Sequence, residues 1–419
     1  MKIKKLVVSN YKVFDHLELD FTDGNGNGKI LDTIVFAGLN GSGKTTILEL
    51  LKDLVDGNKP NQLKAETEIK LEILFEKKYC SDLAKLGSSE FLPIKSYSDD
   101  YVILVFELQR EKKDFRVGAE FLFSALGRTI KYIYSRSRHL LYFYAQDKPI
   151  KKDITETINT AELTFSVHNQ QIRQTILDII KNKVFANPDV APRLIYTKEV
   201  LDLNKIFNTL DIASKLIEVS EKDLIFESAN GQKVGFDDLS SGEKMLYFMG
   251  FTLNHLNPHD TCILVDQPED SLHPKWQQQI VQFFQNIGSG NQVILATHSP
   301  QIISSVHPES LFVLAIDENT HHVEAINMAD EHKHSYGVDP NRILSEIMGT
   351  PLRDYKTQQY INSLTETIKR MELDPSVLGL SDLEKQIDLL AEDLGKQDAA
   401  IMRFKNELRL LKRKTEVVR

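Results

Sequence analysis

The stretch Gly38-Leu39-Asn40-Gly41-Ser42-Gly43-Lys44-Thr45 reads as G-x-x-x-x-G-K-[ST]. It follows the apolar run Thr33-Ile34-Val35-Phe36-Ala37 and precedes the helical pattern Thr46-Ile47-Leu48-Glu49-Leu50-Leu51. Strand, glycine loop and helix in that order predict a phosphate-binding loop in an α/β fold. Glycines let successive backbone N–H groups turn inward, and the helix N-terminus adds positive dipole. Lys44 brings a mobile charge for the β- and γ-phosphates. Asn40, Gly41, Ser42, Gly43, Lys44, Thr45 and Thr46 are therefore the expected contacts to ATP, and the Thr45 hydroxyl is also expected on Mg²⁺.

Composition narrows the class. A chain of 419 residues suggests two or three structural units, and 41% hydrophobic with 26% charged residues describes a soluble globular protein. No apolar run approaches the roughly 20 residues that span a bilayer. Met1-Lys2-Ile3-Lys4-Lys5 lacks the apolar core of a signal peptide. Cys80 and Cys262 make neither a disulfide framework nor a Cys-x-x-Cys site. The expected compartment is the cytoplasm, with no membrane partner. A net charge of −9 argues against a nucleic-acid footprint over the whole surface and leaves local basic patches open.

Outward from the glycine loop, residues 2–9 and 16–21 read as a hairpin. The Tyr11-Lys12 pair between them is placed where it could meet adenine and phosphate, so Lys12 joins the candidate contacts. Residues 68–76, 101–109, 115–123 and 129–144 are rich in β-branched and aromatic residues and predict an antiparallel sheet. Within them, Lys131-Tyr132-Ile133-Tyr134-Ser135-Arg136-Ser137-Arg138-His139 mixes aromatics with cations, read first as a strand with one solvated face and second as a nucleic-acid surface. Residues 170–185 predict an amphipathic helix, Arg193-Leu194-Ile195-Tyr196 a strand, and 223–236 a hairpin around Ala229-Asn230-Gly231.

Three motifs then follow closely. Leu239-Ser240-Ser241-Gly242-Glu243-Lys244 opens an apolar helix. Cys262-Ile263-Leu264-Val265-Asp266 is an apolar strand ending in a carboxylate, followed by Gln267-Pro268-Glu269-Asp270-Ser271-Leu272-His273-Pro274. Val293-Ile294-Leu295-Ala296-Thr297-His298 is a second such strand ending in histidine. These strands are apolar enough to lie centrally in a parallel sheet, with their C-terminal ends around one crevice. Asp266 is then expected to hold Mg²⁺ and His298 to sense the γ-phosphate. Beyond these, residues 354–371 predict a helix. Leu383, Ile387, Leu390, Leu394, Ile401, Phe404, Leu408 and Leu411 fall on a heptad seam with Gln397 in its polar slot. They predict a coiled coil, formed within or between chains.

In that order the motifs resemble the soluble ATP-binding-cassette-type ATPases of the RecF, Structural Maintenance of Chromosomes and OLD-like group. Leu239-Ser240-Ser241-Gly242-Glu243 is similar to the group's L-S-G-G-Q, with Ser241 for the first glycine and Glu243 for glutamine. The resemblance implies that the Ser240 and Gly242 N–H groups cap the γ-phosphate held by an opposite copy, so that ATP is sandwiched in a homodimer or higher oligomer. It also implies a catalytic glutamate where this chain has Gln267. An amide positions water but takes no proton from it, which forgoes base catalysis worth about 10²–10⁴-fold. Gln267, His298 and Glu269 are the candidate catalytic residues, with Glu269, or Asp270 beside it, as a compensating carboxylate.

The implied organisation is an ATPase core over 1–56 and 222–330, an inserted β-rich and helical lobe over 57–221, a helical extension over 331–372 and a coiled-coil helix over 380–415. No long heptad insertion separates glycine loop from signature, and no spaced acidic set follows His298. The chain accordingly looks like the stand-alone ATPases of bacterial anti-phage systems of the Septu and retron-associated kind. That likeness rests also on the segments from Ser271 to Pro274 and from Tyr336 to Leu344, and it implies a separate nuclease effector, often of the HNH type. The alternative is a RecF- or RecN-like repair ATPase on DNA. The basic end carrying Arg403, Lys405, Arg409, Lys412, Arg413, Lys414 and Arg419 leans that way.

Overall fold

The N-terminal hairpin is β1 (Lys2–Tyr11) and β2 (Phe14–Asp20), paired antiparallel. The computed structural model describes the chain except residues 25–27, 65, 80–91, 93, 109–121, 127, 131–139, 145–159, 165–168, 209, 221, 271, 318–319, 321, 352, 374–378 and 418–419. The described chain divides into two compact units, Met1–Ile343 and Leu344–Arg419.

In the first unit β3 (Thr33–Gly38) feeds the glycine loop and α1 (Lys44–Asp56) leaves it. The chain then runs through β4 (Glu68–Glu76), β5 (Ile94–Ser96), β6 (Tyr101–Leu108), β7 (Leu140–Tyr144) and β8 (Thr160–Thr164). Next come α2 (Asn169–Phe185), α3 (Pro192–Phe207), the hairpin strands β9 (Lys215–Val219), β10 (Leu224–Glu227) and β11 (Lys233–Gly235), and α4 (Ser241–Leu256). The unit closes with β12 (Cys262–Asp266), β13 (Gln292–Thr297), β14 (Leu311–Ile316) and β15 (Val323–Asn327).

Among the described residues the strands form three sheets. The largest has the order β15-β14-β3-β13-β12-β7-β8, parallel except at the β14–β15 edge. β3, β12 and β13 are buried at every position. That is why they read as unbroken apolar runs rather than alternating ones. A second, antiparallel sheet has the order β2-β1-β4-β6-β5. Ile47, Leu48, Leu51 and Leu54 of α1 pack into one core with side chains of both sheets, such as Leu6, Leu71, Phe36 and Ile294. Each such side chain contributes about 1.5–3 kcal/mol of burial, and together they hold the helix that carries Lys44 and Thr45.

Several expectations are corrected. Within residues 57–221, expected as an inserted lobe, the described strands join the sheets of the core: β4, β5 and β6 complete the sheet of the N-terminal hairpin, while β7 and β8 extend the central sheet beyond β12. The strand expected at Arg193-Leu194-Ile195-Tyr196 is the first turn of α3. Pro192 stands at the start of that helix, where its fixed φ and missing N–H are tolerated. Ile195, Glu199, Leu203 and Phe207 are its buried stripe, at four-residue spacing. Residues 122–126 are helical where a strand over 115–123 was expected, and among the described residues of 129–144, Leu140–Tyr144 is a strand and 129–130 are helical. The cation–aromatic segment 131–139 lies outside the described residues. The first unit runs past residue 330 to Ile343, because Gly337 N donates to Ser304 O at 2.8 Å and the Ser335 hydroxyl to Val306 O at 2.6 Å.

In the second unit, α5 (Tyr355–Leu373) matches the helix expected over 354–371, but the single helix expected over 380–415 is two. These are α6 (Leu380–Leu394) and α7 (Ala399–Val417), separated at Gly395, whose φ of +87° is left-handed. The heptad residues Leu383, Ile387 and Leu390 therefore share a core with Ile401, Phe404, Leu408 and Leu411 of the same chain and with Ile361, Leu364 and Ile368 of α5. Gln397, expected in the seam, lies in the turn.

Candidate nucleotide site

β3, β13 and β12 lie side by side, so their C-terminal ends bring the glycine loop, His298 and Asp266 to one edge of the sheet. The loop is built for close approach. Gly38 and Gly43 have φ of +147° and +91°; a Cβ on Gly38 would sit 2.5 Å from the Leu314 carbonyl oxygen, and one on Gly43 2.6 Å from the Phe14 ring. Phe14 and Val13 at the β1–β2 turn thus lie close against the loop, next to Lys12. Lys12 itself is 3.4 Å from Glu49 of α1 and lies over the ring of Tyr11, which is buried and so offers no free face to a base.

Lys44 is buried, and its Nζ donates to the carbonyl oxygens of Gly38 and Leu39, both at 2.8 Å. Burial lowers its pKa, with Glu269 and Asp266 opposing. The Thr45 hydroxyl donates to Asp266 Oδ1 at 3.1 Å. Burial pushes the Asp266 carboxyl up to about 6, against the Thr45 hydrogen bond, with Glu269 and Glu49 adding to the rise. The Ser42 hydroxyl is buried without a hydrogen-bond partner among the described residues.

These residues fit ATP and Mg²⁺. An ammonium resting on carbonyls and an orphaned loop hydroxyl suit phosphate oxygens. Among the described residues no cluster of three metal-ligating side chains exists. A Thr–Asp pair is nevertheless enough for Mg²⁺, which usually takes one or two protein oxygens and fills its shell with phosphates and water.

Gln267 follows Asp266 with φ of +49° and its N–H on Ala296 O at 2.8 Å. A non-glycine residue in this region costs on the order of 1–3 kcal/mol and persists only where the surroundings over-determine it. The turn sends Glu269 inward. Its Oε1 accepts from the Thr297 hydroxyl at 2.8 Å and His298 N at 2.7 Å, and lies 3.1 Å from His298 Nδ1. Its Oε2 is buried without a hydrogen-bond partner among the described residues. Burial raises the Glu269 pKa, opposed mainly by the His298 N–H. Glu269, expected as a compensating catalytic carboxylate, is thus engaged by Thr297 and the His298 N–H. Sequence reading also missed Gln277: its Nε2 donates to Leu272 O at 2.9 Å while its Oε1 accepts from the Ser299 hydroxyl at 2.7 Å, tying the turn after β12 to the end of β13. No local pattern marks it.

Ser240 caps α4, and its hydroxyl accepts from Glu243 N at 3.3 Å. Glu243 Oε2 accepts in return from the Ser240 N–H at 3.1 Å and hydroxyl at 2.8 Å. The Ser240 N–H expected to face a phosphate is therefore held by its own capping box. Gly242 is buried in the first turn of α4. The remaining Glu243 oxygen accepts from Ser214 N at 3.2 Å. These contacts run to the segment before β9 and none reaches the glycine loop.

The family described as "AAA domain, putative AbiEii toxin, Type IV TA system" matches residues 34–304, from β3 to just beyond His298. Septu protein PtuA of Bacillus thuringiensis is 23% identical over 385 residues, covering 88% of this chain and 89% of that protein. Retron Vc95 probable ATPase of Vibrio cholerae serotype O1 biovar El Tor is 32% identical over 115 residues, 27% of this chain and 22% of its own. Retron Ec83 probable ATPase of Escherichia coli is 26% identical over 180 residues, 40% of this chain and 32% of its own. Among solved structures, an Smc head bound to the C-winged helix domain of ScpA aligns with a TM-score of 0.44 at 14% identity, over 78% of this chain and 99% of that one. The SMC head domain from Thermotoga maritima aligns at 0.41 and 15%, with the same coverage.

Proposed function

The chain belongs to this AAA-domain family of ATPases, and on that premise we propose that it holds MgATP between two copies, hydrolyses it slowly, and serves as the regulatory platform of an anti-phage defence complex. In this reading the closed dimer restrains or loads a separate nuclease of the HNH type in the cytoplasm. The observation that carries the ATP site is the Thr45–Asp266 contact of 3.1 Å beside the buried Lys44. Lys44 exchanges its two carbonyl partners for β- and γ-phosphate oxygens, and the loop N–H groups from Asn40 to Thr46 wrap them. Thr45 and Asp266 are the residues that would hold Mg²⁺, which would supply neutralising charge at the transferring phosphate.

Gln267, at the tip of its strained turn, orients a water but cannot take its proton, so the ATP state is long-lived. Ser240 and Gly242 face the nucleotide of the other copy once Ser240 is released from Glu243. The similarity to PtuA along 88% of this chain supports the defence role. A plaque assay on cells carrying this chain together with its genomic neighbours tests it. Protection should require Lys44, and protection that survives Lys44→Ala would overturn the proposal.

A further inference from the structure

We propose that Glu269 is the positioning residue for His298: its buried carboxylate holds the ring by Nδ1, so that Nε2 is the nitrogen presented to the nucleotide. This rests on the ATP-site reading above and deepens it. Glu269 is 6% exposed, and Nδ1 of His298 is itself a buried atom, 3.1 Å from Oε1 but without a hydrogen-bond partner among the described residues, while the His298 side chain as a whole is 43% exposed. The exposed edge of the ring is therefore the one bearing Nε2.

A carboxylate this deep is costly without donors. Two of its donors are fixed by the backbone and by Thr297, and they only require an acceptor, which an amide would also supply. Nδ1, which lies 3.1 Å from Oε1 without yet forming a hydrogen bond, is different. A carboxylate 3.1 Å away favours the proton on Nδ1, which leaves Nε2 bare in the neutral ring and makes it the outward donor in the charged one. This is the logic by which a carboxylate fixes the tautomer of a neighbouring histidine elsewhere in enzymology. Nor is Glu269 free to swing to another task. The turn that carries it is pinned by Gln277, which donates to the Glu269 carbonyl at 3.4 Å and to Leu272 O at 2.9 Å.

The test uses the full chain with Glu269→Gln, His298→Ala and the double variant. Glutamine keeps an acceptor for Thr297 and the His298 N–H, so the fold is retained, but its neutral head holds the Nδ1 proton less strongly. Long-range ¹H–¹⁵N NMR of labelled histidine, with His298 assigned by His298→Ala, should show Nδ1 protonated in the parent chain and a shift towards the Nε2–H tautomer in Glu269→Gln. Single-turnover hydrolysis should fall about 10- to 100-fold in Glu269→Gln, with ATP affinity unchanged. The double variant should lose no more than His298→Ala alone. Identical ring spectra in the two chains, or losses that add, would overturn the proposal. Absence of ATP binding to the parent chain would instead sink the ATP-site reading, and the ring spectra would still decide the pairing.

Discussion

Thr45 and Asp266 stand 221 positions apart in sequence and 3.1 Å apart in space. The contact places the helix that carries the glycine loop against the end of a strand two places across the sheet. We expect Thr45→Ala and Asp266→Asn each to make ATP binding insensitive to Mg²⁺. Titrating nucleotide with and without the metal checks this. Because the two groups share one partner, the double variant should add little to either single one.

The glycine loop tolerates no side chain at Gly43. Alanine there combines a φ of +91° with a Cβ 2.6 Å from Phe14. Gly43→Ala should cost about 1–3 kcal/mol in denaturant unfolding and abolish ATP binding by calorimetry. Parent-like stability with intact binding would show that the β1–β2 turn does not brace the loop.

The parts of the site that were legible in the sequence are those written in consecutive residues. The glycine loop, Asp266 and His298 sit on strands whose unbroken apolar runs betray full burial, and the tight turns of the loop demand glycine. What escaped was set by tertiary contact. Glu269 was visible as a carboxylate, but only the left-handed turn at Gln267 decides that it points at His298. The first turn of α3 looked like a strand over four residues, and its buried stripe appears only over Ile195, Glu199, Leu203 and Phe207. The seam from Leu383 to Leu411 is apolar as its pattern implies, but a heptad pattern leaves open pairing within or between chains and does not reveal that Gly395 folds it back.

That fold-back is locked by Arg353, whose guanidinium donates to both oxygens of Asp398 at 2.8 Å. The Arg353 hydrogen bond holds the Asp398 carboxyl below its usual range. A carboxylate with a depressed pKa in the folded state contributes stability above its unfolded pKa, and this is lost as pH falls through the folded one. Arg353→Ala should therefore speed hydrogen exchange in α6 and α7 at neutral pH, by an amount matching about 1 kcal/mol. The difference should vanish in strong acid.

The basic end of the chain is partly neutralised within its own unit, where Lys405 pairs with Asp388 and Lys412 with Glu384. Both lysines are more than a third exposed, so each pair is worth only about 0.2–1 kcal/mol after solvent screening. We expect duplex DNA affinity to be unchanged in Lys405→Ala and Lys412→Ala. A steep salt dependence whose slope drops by about 1 for each lysine removed would favour the repair reading instead.

ATP turnover by the chain with Gln267 and by Gln267→Glu, measured side by side at saturating MgATP, bears most directly on a site that holds ATP rather than consuming it. The account predicts slow turnover with Gln267, nucleotide retained through gel filtration, and a gain of about 10²–10⁴-fold on restoring a carboxylate. Rapid hydrolysis by the chain with Gln267, unchanged or reduced in Gln267→Glu, would contradict it.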